Sequence, residues 1–272
     1  MKKNIVLLFG LVLGLGFVSC SSDDDEKGTY LAEKSVTIYE WKNGERPSEG
    51  KLYELYKYNE KEQLICQESP FFGYKQTPIY DANGECIEQR FYNYRTDEYI
   101  GVDKREYNRA DSIFIIYSYN WKYQLVSTTK FEYTYGDKLK RETEIIDSIG
   151  KDHGKVWTYS YSGNIKTVDV TNLKDGSLIE KQIYELDSYG YTTKFTRYSY
   201  TWEYSTSPIK YEYEYKLAYD SQGRLLRASS SNAYTEYTYN ADGTLKKKRD
   251  VSETRFGTDI TDYEYAYTYK KK

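Results

Sequence analysis

Residues that carry chemistry are scarce in this chain of 272: one histidine, three cysteines, one methionine and four prolines. His153 stands alone in the Gly-rich stretch Gly150-Lys-Asp-His-Gly154. Zinc sites and Cys-His or Ser-His-Asp constellations therefore lack their material, and His153 reads as a solvated surface side chain. No Gly-rich phosphate loop opens a helix, so no cofactor is implied. Leu, Ile, Val and Phe total 54, of which 11 fall in the first nineteen residues. A complement that lean ordinarily signals disorder. The net charge is only −3, and beyond the acidic run Asp23 to Glu26 the chain is close to neutral. Nucleic-acid binding by bulk electrostatics is excluded.

What the chain has instead is 35 tyrosines, large semi-polar rings that stand in for aliphatics. They recur with period two: Phe131-Tyr133-Tyr135, Trp157-Tyr159-Tyr161, Tyr211-Tyr213-Tyr215 and Tyr263-Tyr265-Tyr267-Tyr269. This is the pattern of half-buried strands. Between them come turns of the form Tyr-[Asp/Asn]-x-x-Gly, best at Tyr80-Asp81 to Gly84, Tyr219-Asp220 to Gly223 and Tyr239-Asn240 to Gly243, with Tyr-less variants at 147–150 and 187–190. Asp or Asn accepts backbone hydrogen bonds and Gly takes the positive φ, so hairpins follow. Asp81-Ala-Asn-Gly-Glu85 also spaces oxygens as some calcium loops do, but the turn already accounts for it.

A period of 26 residues aligns Phe131, Trp157 and Ile183, one pair of strands per unit. A second echo sets Tyr117-Ser-Tyr-Asn-Trp121-Lys-Tyr123 against Tyr198-Ser-Tyr-Thr-Trp202-Glu-Tyr204, which places Trp121 and Trp202 in a pair of matching strands. At roughly 13 residues per strand and turn, on the order of 18 strands are expected, too many for a flat sheet. The expected fold is all-β: an antiparallel meander of Tyr-rich hairpins curled into a partial barrel or spiral. A propeller of about five blades is the alternative.

The first nineteen residues form an address. Met1-Lys2-Lys3 is basic and Ile5 to Val18 is an apolar run too short to span a bilayer. Phe17-Val18-Ser19-Cys20 resembles the lipobox of bacterial lipoproteins, with Phe where Leu is usual. The resemblance implies a signal peptide at 1–19, cleavage before a lipidated Cys20, and a membrane partner through that anchor. Residues 20–29 then form a tether, whose Ser-Ser-Asp-Asp-Asp-Glu is similar to signals directing lipoproteins to the outer face of the outer membrane. Residues 30–272 make a single repetitive β domain. In such a compartment Cys66 and Cys86 are free to pair. A simple meander, however, sets them on second-neighbour strands about 9 to 10 Å apart, beyond disulfide reach.

Tyr219-Asp-Ser-Gln-Gly-Arg-Leu225 resembles the core of the Rhs or YD repeat, a family of surface proteins built from β-hairpins; Tyr80 to Cys86 and Tyr239 to Leu245 resemble it less completely, lacking the Arg. The resemblance implies hairpin architecture. The toxin-carrier role of that family does not transfer to a chain this short.

The function expected is a surface-anchored outer-membrane lipoprotein acting as a non-catalytic glycan- or protein-binding module. Trp121, Tyr123, Trp202 and Tyr204 are its candidate binding residues, because flat rings with polar edges suit sugars and protein partners. A purely structural envelope protein is the alternative, with every ring in the core. A carboxylate-based glycoside hydrolase is the third reading, since two acids suffice for that chemistry.

Overall fold

The computed structural model describes residues 29–133, 138–146, 153–200, 207–255 and 257–271. Cys20, the leader, residues 21–28 of the tether, the 147–150 turn, Trp202 and Tyr204 lie outside the described residues, while Thr29, the last tether residue, already belongs to the first strand. The strands are β1 (Thr29–Glu40), β2 (Lys51–Tyr58), β3 (Leu64–Ser69), β4 (Tyr74–Tyr80), β5 (Cys86–Asn93), β6 (Tyr99–Asn108), β7 (Ile113–Asn120), β8 (Leu125–Tyr133) and β9 (Leu139–Ile145). They continue as β10 (Gly154–Ser162), β11 (Ile165–Asn172), β12 (Leu178–Leu186), β13 (Thr192–Ser199) and β14 (Ile209–Glu214). The last five are β15 (Lys216–Tyr219), β16 (Leu225–Ser229), β17 (Ala233–Tyr239), β18 (Leu245–Thr254) and β19 (Gly257–Lys271).

Each strand pairs antiparallel with the next except at β14 and β15, and β19 returns to pair β1 from Thr29↔Lys271 to Glu40↔Thr261. The meander is thus a nearly closed barrel and not a propeller, because one ladder runs around the whole circuit instead of breaking into blades. β14 and β15 are two halves of one run about Tyr215: the first pairs β13, the second β16. Eighteen ladder positions result from the 19 strands.

Directly opposed residues share a face, so the register sorts the side chains. One face carries Tyr56, Tyr159, Tyr184, Tyr213, Tyr237, Tyr263 and Tyr265. Phe131, Glu142 and Trp157 form one row on it, as the 26-residue period requires. Ile183 does not join them: it opposes Thr167 on the other face, because the hairpins are unequal in length. The apolar core is thin and spread around the wall, with Val36, Ile38, Val102, Val156, Val168, Val170, Leu225 and Val251 buried.

Charged residues occupy mid-strand positions on both faces. Lys34, Asp103 and Asp250 share the tyrosine face; Lys104, Lys181 and Arg249 lie on the other. A spanning barrel needs one continuous apolar outer band, and each Lys or Arg at the bilayer midplane costs about 2 to 4 kcal/mol. Neither face of this wall meets that requirement.

The closing seam is pinned by a fully buried acid. Asp262 on β19 accepts from Arg249 Nε at 2.7 Å and Nη2 at 3.1 Å, and from Trp41 Nε1 at 3.2 Å. Lys247 Nζ lies 3.0 Å and Arg46 Nε 3.6 Å away. Burial alone would raise its pKa, but the hydrogen bonds from Arg249, Lys247 and Trp41 prevail and hold it at about 2.

Candidate functional site

The turns explain the site. At Asp81 the carboxylate accepts the N–H groups of Asn83 (2.9 Å) and Glu85 (2.8 Å). The bond from Glu85 is the main reason its carboxyl lies below the usual range. Asp220 does the same for Gln222 and Arg224. All three turns also close by a Gly N–H bond to the carbonyl of the Asp or Asn, at 3.1 Å for Asp81 and Asp220 and 3.0 Å for Asn240, whose side-chain amide donates to Thr244 Oγ1 at 2.9 Å. Gly84, Gly223 and Gly243 close the three turns at φ 84°, 77° and 85°, as the Tyr-[Asp/Asn]-x-x-Gly reading requires.

Trp121 and Tyr123 sit in a turn of this kind and not on a strand, which corrects their expected placement. Asn120 Oδ1 accepts from the N–H of Lys122 (2.9 Å) and Gln124 (3.1 Å), and Tyr123 N–H reaches Asn120 O at 2.9 Å. Tyr119-Asn120 thus starts a Tyr-Asn turn whose closing position, taken by Gly84, Gly223 and Gly243 in the three turns above and by Glu62 (φ 60°) in the Tyr58-Asn59 turn, holds Tyr123 at φ 58°. A bulky L-residue in that left-handed region costs on the order of 1 to 2 kcal/mol. Burial does not offset this cost: Tyr123 is 64% exposed and Trp121 61%. One face of Tyr123 stacks on Tyr99, centroids 5.6 Å apart, and Lys122 Nζ lies 4.7 Å from the Trp121 ring centre.

The strand directions place this turn at the end of the barrel opposite to Thr29 and Lys271. The same distal end carries a pair that the sequence reading missed, Phe71 (49% exposed) and Phe72 (48%), in the turn between β3 and β4. Tyr53 packs on both, at 5.3 and 5.5 Å. The 93–98 turn joins the two groups: Tyr94 N–H bonds Gly73 O at 2.9 Å, Lys75 pairs with Asp97 at 2.8 Å, and Tyr92 meets Tyr99 at 5.9 Å. An aromatic rim therefore spans three neighbouring hairpins. A doubled Phe after Pro70 and before Gly73 was the available signal.

Other candidates are weaker. His153 is exposed. Cys66 and Cys86 are free thiols, near Glu68 and the Glu88 carbonyl respectively. Burial raises the pKa of Glu142, which accepts from Tyr159 Oη at 3.0 Å. It stands on the tyrosine face between Phe131 and Trp157. A surface cavity of about 380 Å³ is lined by Lys140, Arg141, Val156, Thr158, Thr171, Asn172, Leu173 and Gly176, with no carboxylate among them. Among the described residues no cluster of His, Cys, Asp or Glu could hold a metal ion.

No protein-family model matches the chain, and no curated protein matches it. Among solved structures it is similar to a porin-like protein of Bacteroides uniformis, at 11% identity and TM-score 0.46, covering 88% of this chain and 98% of that one. A porin-like protein of Bacteroides vulgatus gives 11% identity and TM-score 0.36, with 88% and 99% covered. TcdB2-TccC3-TEV gives 12% identity and TM-score 0.33 over 78% of this chain and 14% of that one. All three TM-scores lie under 0.5, so these are distant likenesses that lend no function to this chain.

Proposed function

We propose that this protein is a lipid-anchored, non-catalytic recognition module of the outer membrane, displaying the aromatic end of its barrel at the cell surface. One observation carries the reading: Tyr123, 64% exposed and at φ 58°, puts an aromatic ring at a turn position that Gly fills in the Asp81, Asp220 and Asn240 turns and Glu62 fills in the Asn59 turn. Apart from its stack on Tyr99 this strained ring faces solvent, and such outliers cluster at functional sites. Topology supports the same reading. A Cys20 anchor would enter β1 at Thr29, so the Trp121 turn would point away from the membrane. Charges on both faces of the wall argue for a shell outside the bilayer instead of a pore within it.

The test compares wild type with Trp121→Ala and Tyr123→Ala on a glycan array, with the thermal midpoint of each. Unchanged midpoints with lost glycan signal establish a glycan-binding surface. Unchanged midpoints with no signal even from wild type transfer the same surface to a protein ligand. A large midpoint loss in both variants refutes the recognition reading and leaves a structural envelope protein.

A further inference from the structure

The wall contains a strand edge that meets no partner among the described residues. β13 covers one side of β14, from Lys194↔Glu214 to Ser199↔Ile209, and Tyr215 N–H extends the ladder to Thr193 O at 2.8 Å. In an antiparallel ladder, residues that exchange bonds with one neighbour alternate with residues whose polar groups face the other side. Ile209, Tyr211, Tyr213 and Tyr215 therefore turn theirs to β13, and Lys210, Glu212 and Glu214 turn theirs outward. Below Tyr215 that outward side is filled by β16, beginning at Lys216↔Ser229. β16 ends there, and Ser230 N–H bonds Ala233 O at 2.8 Å as the chain reverses into β17. The six residues of β14 stand as an edge above this short hairpin.

The geometry points to a second copy of this chain as the occupant of that edge, the two β14 strands pairing antiparallel about a two-fold axis at Glu212. Charges on an edge usually discourage pairing, but here they are complementary to themselves. In this register Lys210 opposes Glu214 of the partner subunit, twice by symmetry. Tyr211 opposes the partner subunit's Tyr213, and these rings are 42% and 41% exposed in the single chain. Glu212 meets its own copy, its charge offset by Lys210 Nζ at 2.6 Å and Lys194 Nζ at 3.4 Å. One strand pair buries less than a stable free dimer needs, so the contact is weak in dilute solution and gains from confinement of both copies to one surface.

The test is disulfide trapping in cells producing the full chain with Cys66→Ser and Cys86→Ser. Glu212→Cys should give a covalent dimer under mild oxidation, because Cα atoms of a bonded antiparallel pair lie about 5.5 Å apart. Lys210→Cys alone should not, since the two copies of residue 210 would be about 13 Å apart; combined with Glu214→Cys it should. Within the Glu212→Cys protein, Lys210→Glu should lower the dimer yield roughly tenfold through two reversed pairs, and adding Glu214→Lys should restore it. Absence of a Glu212→Cys dimer from a protein with native circular dichroism overturns the proposal. So does a Lys210→Cys dimer of equal yield.

Discussion

Tyr239 donates its phenol hydrogen to the carbonyl oxygen of Leu225 at 2.9 Å, across the hairpin that precedes its own turn. Tyr80 does the same to Leu64 at 2.9 Å and Tyr267 to Leu245 at 2.8 Å. In each case the acceptor is the first residue of the preceding strand. Tyr80 and Tyr239, which each announce a turn, thus cap the exit of the preceding turn at the same end of the barrel, which gives the Tyr-[Asp/Asn] pattern at these two turns a physical reason. Tyr267 makes the same bond from within β19.

Replacing Tyr239 by Phe should therefore cost about 1 kcal/mol, the net worth of one such hydrogen bond. Chemical denaturation of Tyr239→Phe and Tyr267→Phe measures it. Stability equal to wild type in both would deny the cap its role.

Asp262 sets the acid limit. Its folded pKa of about 2 lies below the unfolded value near 3.9, so its contribution is complete above pH 4 and is lost as pH falls toward 2. That contribution is about 2 to 3 kcal/mol. Asp262→Asn should be less stable at pH 7 and show a flatter profile between pH 4 and 2; an unaltered acid slope would contradict the assignment.

Tyrosines set the alkaline limit. Burial, followed by the charge of Asp250, pushes Tyr237 up to about 12, and burial pushes Tyr267 to about 12 as well. The unfolded chain ionises near 10. Stability is then complete below pH 10 and is lost as pH rises to 12. Tyrosinate absorbance and circular dichroism should change together there; a fold that survives full ionisation of its phenols would refute this.

Gly223 and Gly176 separate two costs. Both have positive φ, 77° and 69°. A side chain at 176 meets open space, whereas a Cβ at 223 would lie 2.9 Å from the Tyr189 ring. Gly176→Ala should cost about 1 kcal/mol from backbone strain alone, and Gly223→Val should cost more. Equal thermal midpoints for the two variants would count against the ring contact.

Cys20 is expected to carry lipid. Metabolic labelling with a lipid precursor should mark wild type and leave Cys20→Ala unmarked. Label on both would remove the anchor, and with it the outward orientation of the Trp121 turn.

Local chemistry made much of this architecture readable in advance. Period-two tyrosines signal strands because side chains alternate across a pleat, and Asp81 to Gly84, Asp220 to Gly223 and Asn240 to Gly243 signal turns because their backbone bonds close within five residues. The same rule failed at Glu62 and Tyr123, where φ values of 60° and 58° belong to residues that seldom adopt them. The Trp121 turn was therefore taken for strand, and its exposed rings were found only in three dimensions. Ring closure was equally hidden. Trp41 and Asp262 lie 221 positions apart, and nothing among 42 acids distinguishes the one that is buried. That choice depends on the register in which β19 meets β1, which is decided when the whole wall closes and brings Arg46, Lys247 and Arg249 around a single carboxylate.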